Sequence, residues 1–340
     1  MQTATPIETA QSAAWQGAAP AVAVVVSSHS RGTLLDGLLD VLESQDHNDF
    51  EVIVADNGSA DDTWSVLTSR CARTPLRLRA LRLPFHDGPA VPRNTCIVEA
   101  RAGLVAFTDD DCLPTPAWLS SITGAFDDET VVVQGRTVPE PGGWAGPWGR
   151  SLNVTSASGL YETANLAARR AAIDTAGGFG GKRLLSGRAF GEDVVLGAAI
   201  ARIGGFRFAP DALVHHRVMP GTYADFVRER RRLSGFPQLL RLVPELRERA
   251  YLKVFLGRRR AVTDLGLAGI VATIVMLALG HPLGAITLIA MLPWLRRLWR
   301  ESAAYPGLPR ALRSAQLMYA DVIGFGALVA GSVRARRLLL

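Results

Sequence analysis

The residues of this chain best placed to do chemistry are three consecutive carboxylates, Asp109-Asp110-Asp111. They end the apolar run Leu104-Val105-Ala106-Phe107-Thr108 and precede Cys112-Leu113-Pro114. A buried strand gains no stability from ending in like charges, which repel one another and resist desolvation. The cluster therefore calls for a cation. If the backbone stays extended for two more residues, Asp109 and Asp111 face one way, about 7 Å apart, and Asp110 the other. One carboxylate would then suit a divalent ion and another a hydroxyl-rich ligand. Oxygen donors favour Mg2+ or Mn2+, ions that commonly arrive with phosphate. A solvated acidic turn capping a helix near Pro116 is the alternative that needs no ligand.

The elements that must position this cluster are legible upstream. Ala21–Val26 is apolar without alternation, as expected of a strand buried on both faces, and runs into the polar turn Ser27-Ser28-His29-Ser30-Arg31-Gly32. Thr33 is a candidate N-cap for a helix whose Leu34, Leu35, Leu38, Leu39 and Leu42 form one face. A second strand, Glu51–Ala55, ends in Asp56-Asn57-Gly58-Ser59, and Asp61 or Asp62 starts the next helix. A third strand lies within Leu76–Leu83, and a helix from about Pro92 to Ala102 precedes Leu104–Thr108. Such alternation predicts an α/β fold with a doubly wound, mostly parallel sheet. Ligands of such sheets bind beyond the carboxyl ends of the strands. Ser27–Ser30, Asp56–Ser59 and Asp109–Asp111 all fall there, which indicates a nucleotide-type site. The first turn holds one glycine, Gly32, so the glycine-rich phosphate loop of a nucleotidyltransferase is missing.

The 340 residues carry a formal charge of +6, and Lys182 and Lys253 are the only lysines, so arginine supplies nearly all the positive charge. Most of the excess lies after residue 228 and describes that region rather than the whole chain. Cys71, Cys96 and Cys112 show no metal-type spacing and read as reduced, small apolar residues. Residues 1–20 lack a basic cluster and a continuous apolar core, so a disordered leader is expected rather than a secretory signal.

In the second half, Val131–Arg136 reads as a strand, and the Pro139–Gly149 loop holds Trp144 and Trp148, which either stack on sugars or staple the loop. Asn165 leads into a short helix capped at Gly177-Gly178. Gly180–Gly191, rich in glycine and arginine, is expected to close over substrate. Gly191-Glu192-Asp193 opens a helix, where the macrodipole alone accounts for the acids. His215-His216 follows the short apolar pieces Phe206–Ala209 and Ala212–Val214.

Val22–Ser30, Val54–Ser59, Gly88–Asn94 and Phe107–Pro114, continued by Asn165, Gly177-Gly178-Phe179, Gly191-Glu192-Asp193 and His215-His216, resemble family 2 glycosyltransferases of the GT-A fold across residues 21–220. The chain departs from the usual Pro-Thr-Tyr-Asn at Ser27, His29 and Ser30, from Val-Asp-Asp-Gly-Ser at Asn57, and from a glycine at Cys96. The resemblance implies that Asp56 binds the nucleobase and that Asp109 lies near the ribose. It implies that Arg93 supports the nucleotide, although a surface ion pair explains that arginine as well. Ser27, Ser28, Asn94 and Asp110 complete the implied nucleotide-sugar set. Asp111 would chelate Mg2+ or Mn2+, joined by His216, with His215 as the fallback. Asp193 would be the general base of an inverting displacement, assisted by Glu192. The implied donor is a nucleotide diphosphate sugar. The implied acceptor is a hydroxyl of a cell-envelope glycan or glycolipid. Transfer onto polyprenyl phosphate and a non-catalytic scaffold are the rivals. Nucleic acid is not expected, because no recognition motif appears.

The expected organisation is a leader at 1–20 and a catalytic domain at 21–222, divided into a nucleotide half at 21–115 and an acceptor half at 116–222. Basic amphipathic helices at 223–260 and an apolar helical region at 261–340 follow. Val262–Gly280 contains one charge, Asp264, and approaches the length needed to span a bilayer. His281-Pro282 interrupts it, and Arg296-Arg297 follow soon after, which suggests a hairpin that dips into the membrane with arginines at its base. Leu317–Val333 carries Asp321 and is expected to lie at the interface or on the hairpin. The expected place is the cytoplasmic membrane, with the catalytic domain inside on an anionic leaflet. A soluble helical subdomain is the alternative.

Overall fold

The computed structural model describes residues 1–180, 190–303 and 309–340, apart from the Leu283 side chain. Two compact units emerge. Among described residues, the first comprises 1–144, 151–180 and 190–219, and the second 145–150 and 220–340.

The first unit opens with β1 (Glu8–Gln11), β2 (Val22–Ser28), α1 (Gly32–Glu43), β3 (Phe50–Asp56), α2 (Thr63–Arg73), β4 (Arg77–Arg82), α3 (Ala90–Glu99) and β5 (Leu104–Phe107). It continues with β6 (Cys112–Pro114), α4 (Trp118–Thr123), β7 (Thr130–Pro139), β8 (Leu166–Arg169), α5 (Arg170–Ala176), α6 (Glu192–Ala201) and β9 (Gly205–His216). One nine-stranded sheet runs β1-β4-β3-β2-β5-β8-β7-β9-β6. Its β4-β3-β2-β5 block is parallel, as the alternating strands and helices predict. After β2 the chain builds outward through β3 and β4, then crosses back through α3 to β5 on the other side of β2. The strand order reverses there, and the carboxyl ends of β2 and β5 flank the crevice.

Burial explains the unalternating strands. In β2, Val22, Val24 and Val26 belong to the core under α1 and α2, whereas Ala23 and Val25 belong to the opposite core under α3. Each residue of the run is buried, so no position tolerates a polar side chain. Glu51 is the exception inside β3: its buried carboxylate accepts the N–H groups of Arg101 (2.7 Å) and Ala102 (3.2 Å) and the Arg101 Nε–H (2.8 Å).

Several expectations change. Residues 8–11 are not a disordered leader. They form β1, antiparallel to β4, while Trp15 packs under the guanidinium of Arg101 at 4.3 Å. The first helix starts at Gly32 after Arg31, so Thr33 is inside it and is no cap. The helix ending at Gly177 is capped as expected, with φ +84° at that glycine.

The second unit contains α7 (Tyr223–Arg232), α8 (Phe236–Leu242), α9 (Leu246–Arg249), α10 (Arg258–Ala278), α11 (Met291–Ser302) and α12 (Arg310–Ala335). Trp148 packs between Tyr223 and Phe226, with ring centroids 5.0 and 4.9 Å away, so it staples its loop. Past Gly280 the chain returns along α10 as a 3-10 segment, Pro282–Ala290. Gly269 permits the approach: a Cβ there would meet the Thr287 carbonyl oxygen at 2.6 Å. Helices α10 and α12 are long and apolar enough to cross a membrane, by length and composition. Between them lies a buried ionic network. Asp321 binds Arg297 and accepts the Trp294 indole N–H at 2.9 Å, and Asp264 meets Arg260 at 2.5 Å.

Candidate active site

A cavity of about 390 Å3 sits at the carboxyl ends of β2, β3 and β5, and Ser27, Ser28, Asp109, Asp110, Asp111 and His216 all line it. Each arrives for a separate reason. Parallel pairing of β2 and β3 sets Ser28 beside Asp56, and pairing of β2 with β5 brings the acidic cluster alongside. Antiparallel pairing of β6 with β9 sets Cys112 opposite His216.

The acidic cluster is a turn and not an extended strand end. The Cys112 N–H donates to the Asp109 carbonyl at 3.1 Å, which breaks the expected alternation. Asp110 and Asp111 therefore share one guanidinium: Arg31 Nη1 lies 2.8 Å from Asp110 and 3.0 Å from Asp111. Ser28 also donates to Asp110 at 2.7 Å. Burial pushes the Asp110 carboxyl up to about 6, against the opposing effects of Arg31 and Ser28. Arg31 feels burial as well, yet the two carboxylates outweigh it and raise its pKa.

His216 Nε2 approaches Asp111 Oδ1 at 3.4 Å, and the donor atoms of Asp111, Cys112 and His216 all fall within 4.8 Å of one another. A carboxylate oxygen and an imidazole nitrogen suit Mg2+ or Mn2+, the remaining positions being left to water and phosphate. Cys112 does not fit that set. Burial, then the charges of Asp109 and Asp111, hold its thiol protonated, well above the usual range. His215 is outside the cavity lining, so strand alternation selects its neighbour.

Arg93 is buried and joins two elements, at 2.8 Å from Asp109 and 3.5 Å from Glu192. It ties the acidic turn to the first turn of α6. Asp193 follows in that turn. Burial first, then the Glu192 charge, raises its carboxyl well above the ordinary carboxylate range, against the attraction of Arg93. Asp56 is fully buried below the crevice. Its Oδ1 accepts the Ser59 N–H at 3.0 Å, while Oδ2 has no hydrogen-bond partner and lies 4.0 Å from Arg82.

Asn94 does not belong to this group. Its amide donates to the Gln2 and Phe179 carbonyls at 2.8 and 2.9 Å, and its Oδ1 accepts the Phe179 N–H at 2.9 Å. Those bonds lock α3 to the turn after α5 and leave little for a ligand. Asn165 is likewise a staple, accepting the Trp118 indole N–H and donating to the Arg136 and Ala212 carbonyls. The expected closing loop lies largely at 181–189, outside the described residues.

Two lining residues, Arg31 and His86, escape a reading of sequence. His29 and His86 stack with ring centroids 4.0 Å apart, and Asn57 links to both, through its carbonyl at 3.0 Å from His29 Nδ1 and its amide at 3.0 Å from His86 Nδ1. A basic residue just past the first strand gave a signal for Arg31. His86 gave none, because the loop after β4 has no periodicity.

The model of glycosyl transferase family 2 matches residues 23–186. The chain is 32% identical over 92 residues to a GalNAc(5)-diNAcBac-PP-undecaprenol beta-1,3-glucosyltransferase of Campylobacter jejuni. That alignment spans 27% of this chain and 30% of the relative, so less than a third of the relative's length is matched. Among solved structures, a mannosyltransferase from Pyrobaculum calidifontis in complex with GDP-Man and Mn2+ superposes with TM-score 0.57 at 19% identity, covering 98% of this chain and 89% of that one. TarS 1–349 of S. aureus in complex with UDP-GlcNAc gives 0.52 at 17%, covering 93% and 92%. At these identities the superpositions speak to fold.

Proposed function

Because the chain carries a family 2 glycosyltransferase domain in a GT-A fold, we propose that it is an inverting, metal-dependent glycosyltransferase. It moves a sugar from a nucleotide diphosphate donor to a hydroxyl of a cell-envelope glycan or glycolipid, at the cytoplasmic face of a membrane. One observation carries the reading. Ser28, Asp109, Asp110, Asp111 and His216, drawn from three separate segments, line a single cavity at the point where the strand order reverses. The GDP-Man and UDP-GlcNAc of the two structural neighbours support the donor class. The undecaprenol-linked substrate in the relative's name supports a lipid-linked acceptor.

Each residue has a task. The buried Asp56 Oδ2, which accepts no hydrogen bond and lies 4.0 Å from Arg82, would offer an acceptor to a base N–H. Asp109, held by Arg93, would accept from the ribose hydroxyls. Asp111 and His216 would hold Mg2+ or Mn2+, which when bound screens the diphosphate and stabilises the charge of the departing group. Arg31, already beside Asp110 and Asp111, adds a second cation toward the same phosphates. Asp193 takes the acceptor proton as the hydroxyl attacks the anomeric carbon in line, and its raised pKa suits a base working near neutrality.

The test is a screen of uridine, guanosine and thymidine diphosphate sugars for thermal stabilisation and hydrolysis, with and without Mn2+. Stabilisation by one base class, strengthened by Mn2+, is expected. No response to any donor would leave the scaffold reading. Transfer onto polyprenyl phosphate, whose acceptor is already anionic, predicts that Asp193→Asn leaves turnover nearly intact.

A further inference from the structure

A second cavity, of about 960 Å3, lies wholly within the second unit, among α10, α11 and α12. Four arginines line it: Arg258 from α10, and Arg296, Arg297 and Arg300 from α11. Arg297 is committed to Asp321 and Glu301. Arg258, Arg296 and Arg300 are exposed, and among the described residues no carboxylate pairs with them. Glu301 instead pairs with Arg259 and Arg297.

Three uncompensated cations around one cavity repel one another unless an anion joins them. Arginine suits phosphate oxygens in particular, through its planar fork of donors. The wall beside them is apolar. Leu295 and Trp299 line the cavity and stand 37% and 51% exposed, on a unit whose α10 also exposes Val271, Ile274 and Leu277. A soluble anion would use the arginines and leave that wall wet. An amphiphile would cover both.

We propose that this cavity binds the phosphate-bearing headgroup of an anionic membrane lipid, with the acyl chains against Leu295 and Trp299. The inference rests on the membrane association proposed above and is independent of the sugar chemistry.

The full chain is tested by flotation with phosphatidylcholine vesicles, with and without phosphatidylglycerol. One variant carries Arg258→Gln, Arg296→Gln and Arg300→Gln. The control carries Arg241→Gln, Arg334→Gln and Arg337→Gln, which removes the same charge from exposed arginines elsewhere in the unit. Wild type should prefer the anionic vesicles. The cavity variant should lose that preference by about a hundredfold, roughly fivefold per arginine, while the control keeps most of it and both retain the wild-type unfolding temperature. Equal loss in both variants would mean diffuse attraction and overturn the site. So would soluble glycerol phosphate competing as well as vesicles do, since the ligand would then be a free phosphate. A wild type that floats with neither vesicle would instead overturn the membrane association beneath the inference.

Discussion

At the scale of single residues, Asp193 and Arg31 make the sharpest claims. A general base works deprotonated, so kcat/KM should rise with pH through the raised Asp193 pKa and level off above it. An acid limb near the ordinary aspartate value of about 3.9 would remove Asp193 from that role. Asp193→Asn should lower kcat by about 10²–10⁴-fold with little change in donor KM. The same shift bears on stability. A raised native pKa means that the folded chain holds the proton more firmly, so the linked stability is present at acid pH and lost as pH rises through the folded pKa. Asp193→Asn should therefore raise the unfolding temperature most at pH 8, less at pH 5, and hardly at all at pH 3, below the unfolded aspartate value. Arg31→Gln removes the shared counter-charge of Asp110 and Asp111. Because Arg31 is partly solvated, the loss should be about 1 kcal/mol, or about 2–4 °C for a unit of this size. Mn2+ should restore more of it in the variant than it adds to wild type, as read by thermal unfolding.

At the scale of elements, the site depends on how strand ends and turns are clipped together. Asn94, on α3, bonds the Gln2 carbonyl and both backbone groups of Phe179 in the turn after α5. Asn94→Ala should cost about 1–3 kcal/mol, seen in denaturant unfolding, with donor KM unchanged. A large KM effect would return Asn94 to the nucleotide pocket. The edge strand β1 makes a second case. It covers β4 and carries the chain toward Trp15, so removing residues 1–15 should bare a sheet edge and promote association, measurable by light scattering. Strands β2, β3 and β5 were legible because they are buried on both faces and need long apolar runs. β1, Glu-Thr-Ala-Gln, was not, since an exposed edge strand carries no hydrophobic signature.

At the scale of the molecule, the second unit is organised around charges that composition alone makes look misplaced. Asp321 interrupts an apolar helix, yet it gathers Arg297, the Trp294 indole and the Arg260 guanidinium, which donates to its backbone carbonyl at 3.2 Å. Removing one partner of a buried pair strands the other. Asp321→Ala should therefore cost about 3–5 kcal/mol in thermal or denaturant unfolding of the full chain, and Arg297→Met combined with it should recover part of the loss. An additive double variant would show that the two do not interact.

What the sequence determined by itself was the parallel block of β2 to β5, the three polar clusters at its strand ends, and the span-length apolar stretches in the second unit. These follow from local rules of periodicity and charge, which act over a few residues. Only the tertiary structure decided that Arg31 bridges Asp110 and Asp111, that His216 comes within 3.4 Å of Asp111, and that Asn94 serves the fold. Those outcomes turn on register between β6 and β9 and on partners some 80 residues apart. No local pattern encodes them, because the energy of a buried polar group depends on whichever distant atom meets it.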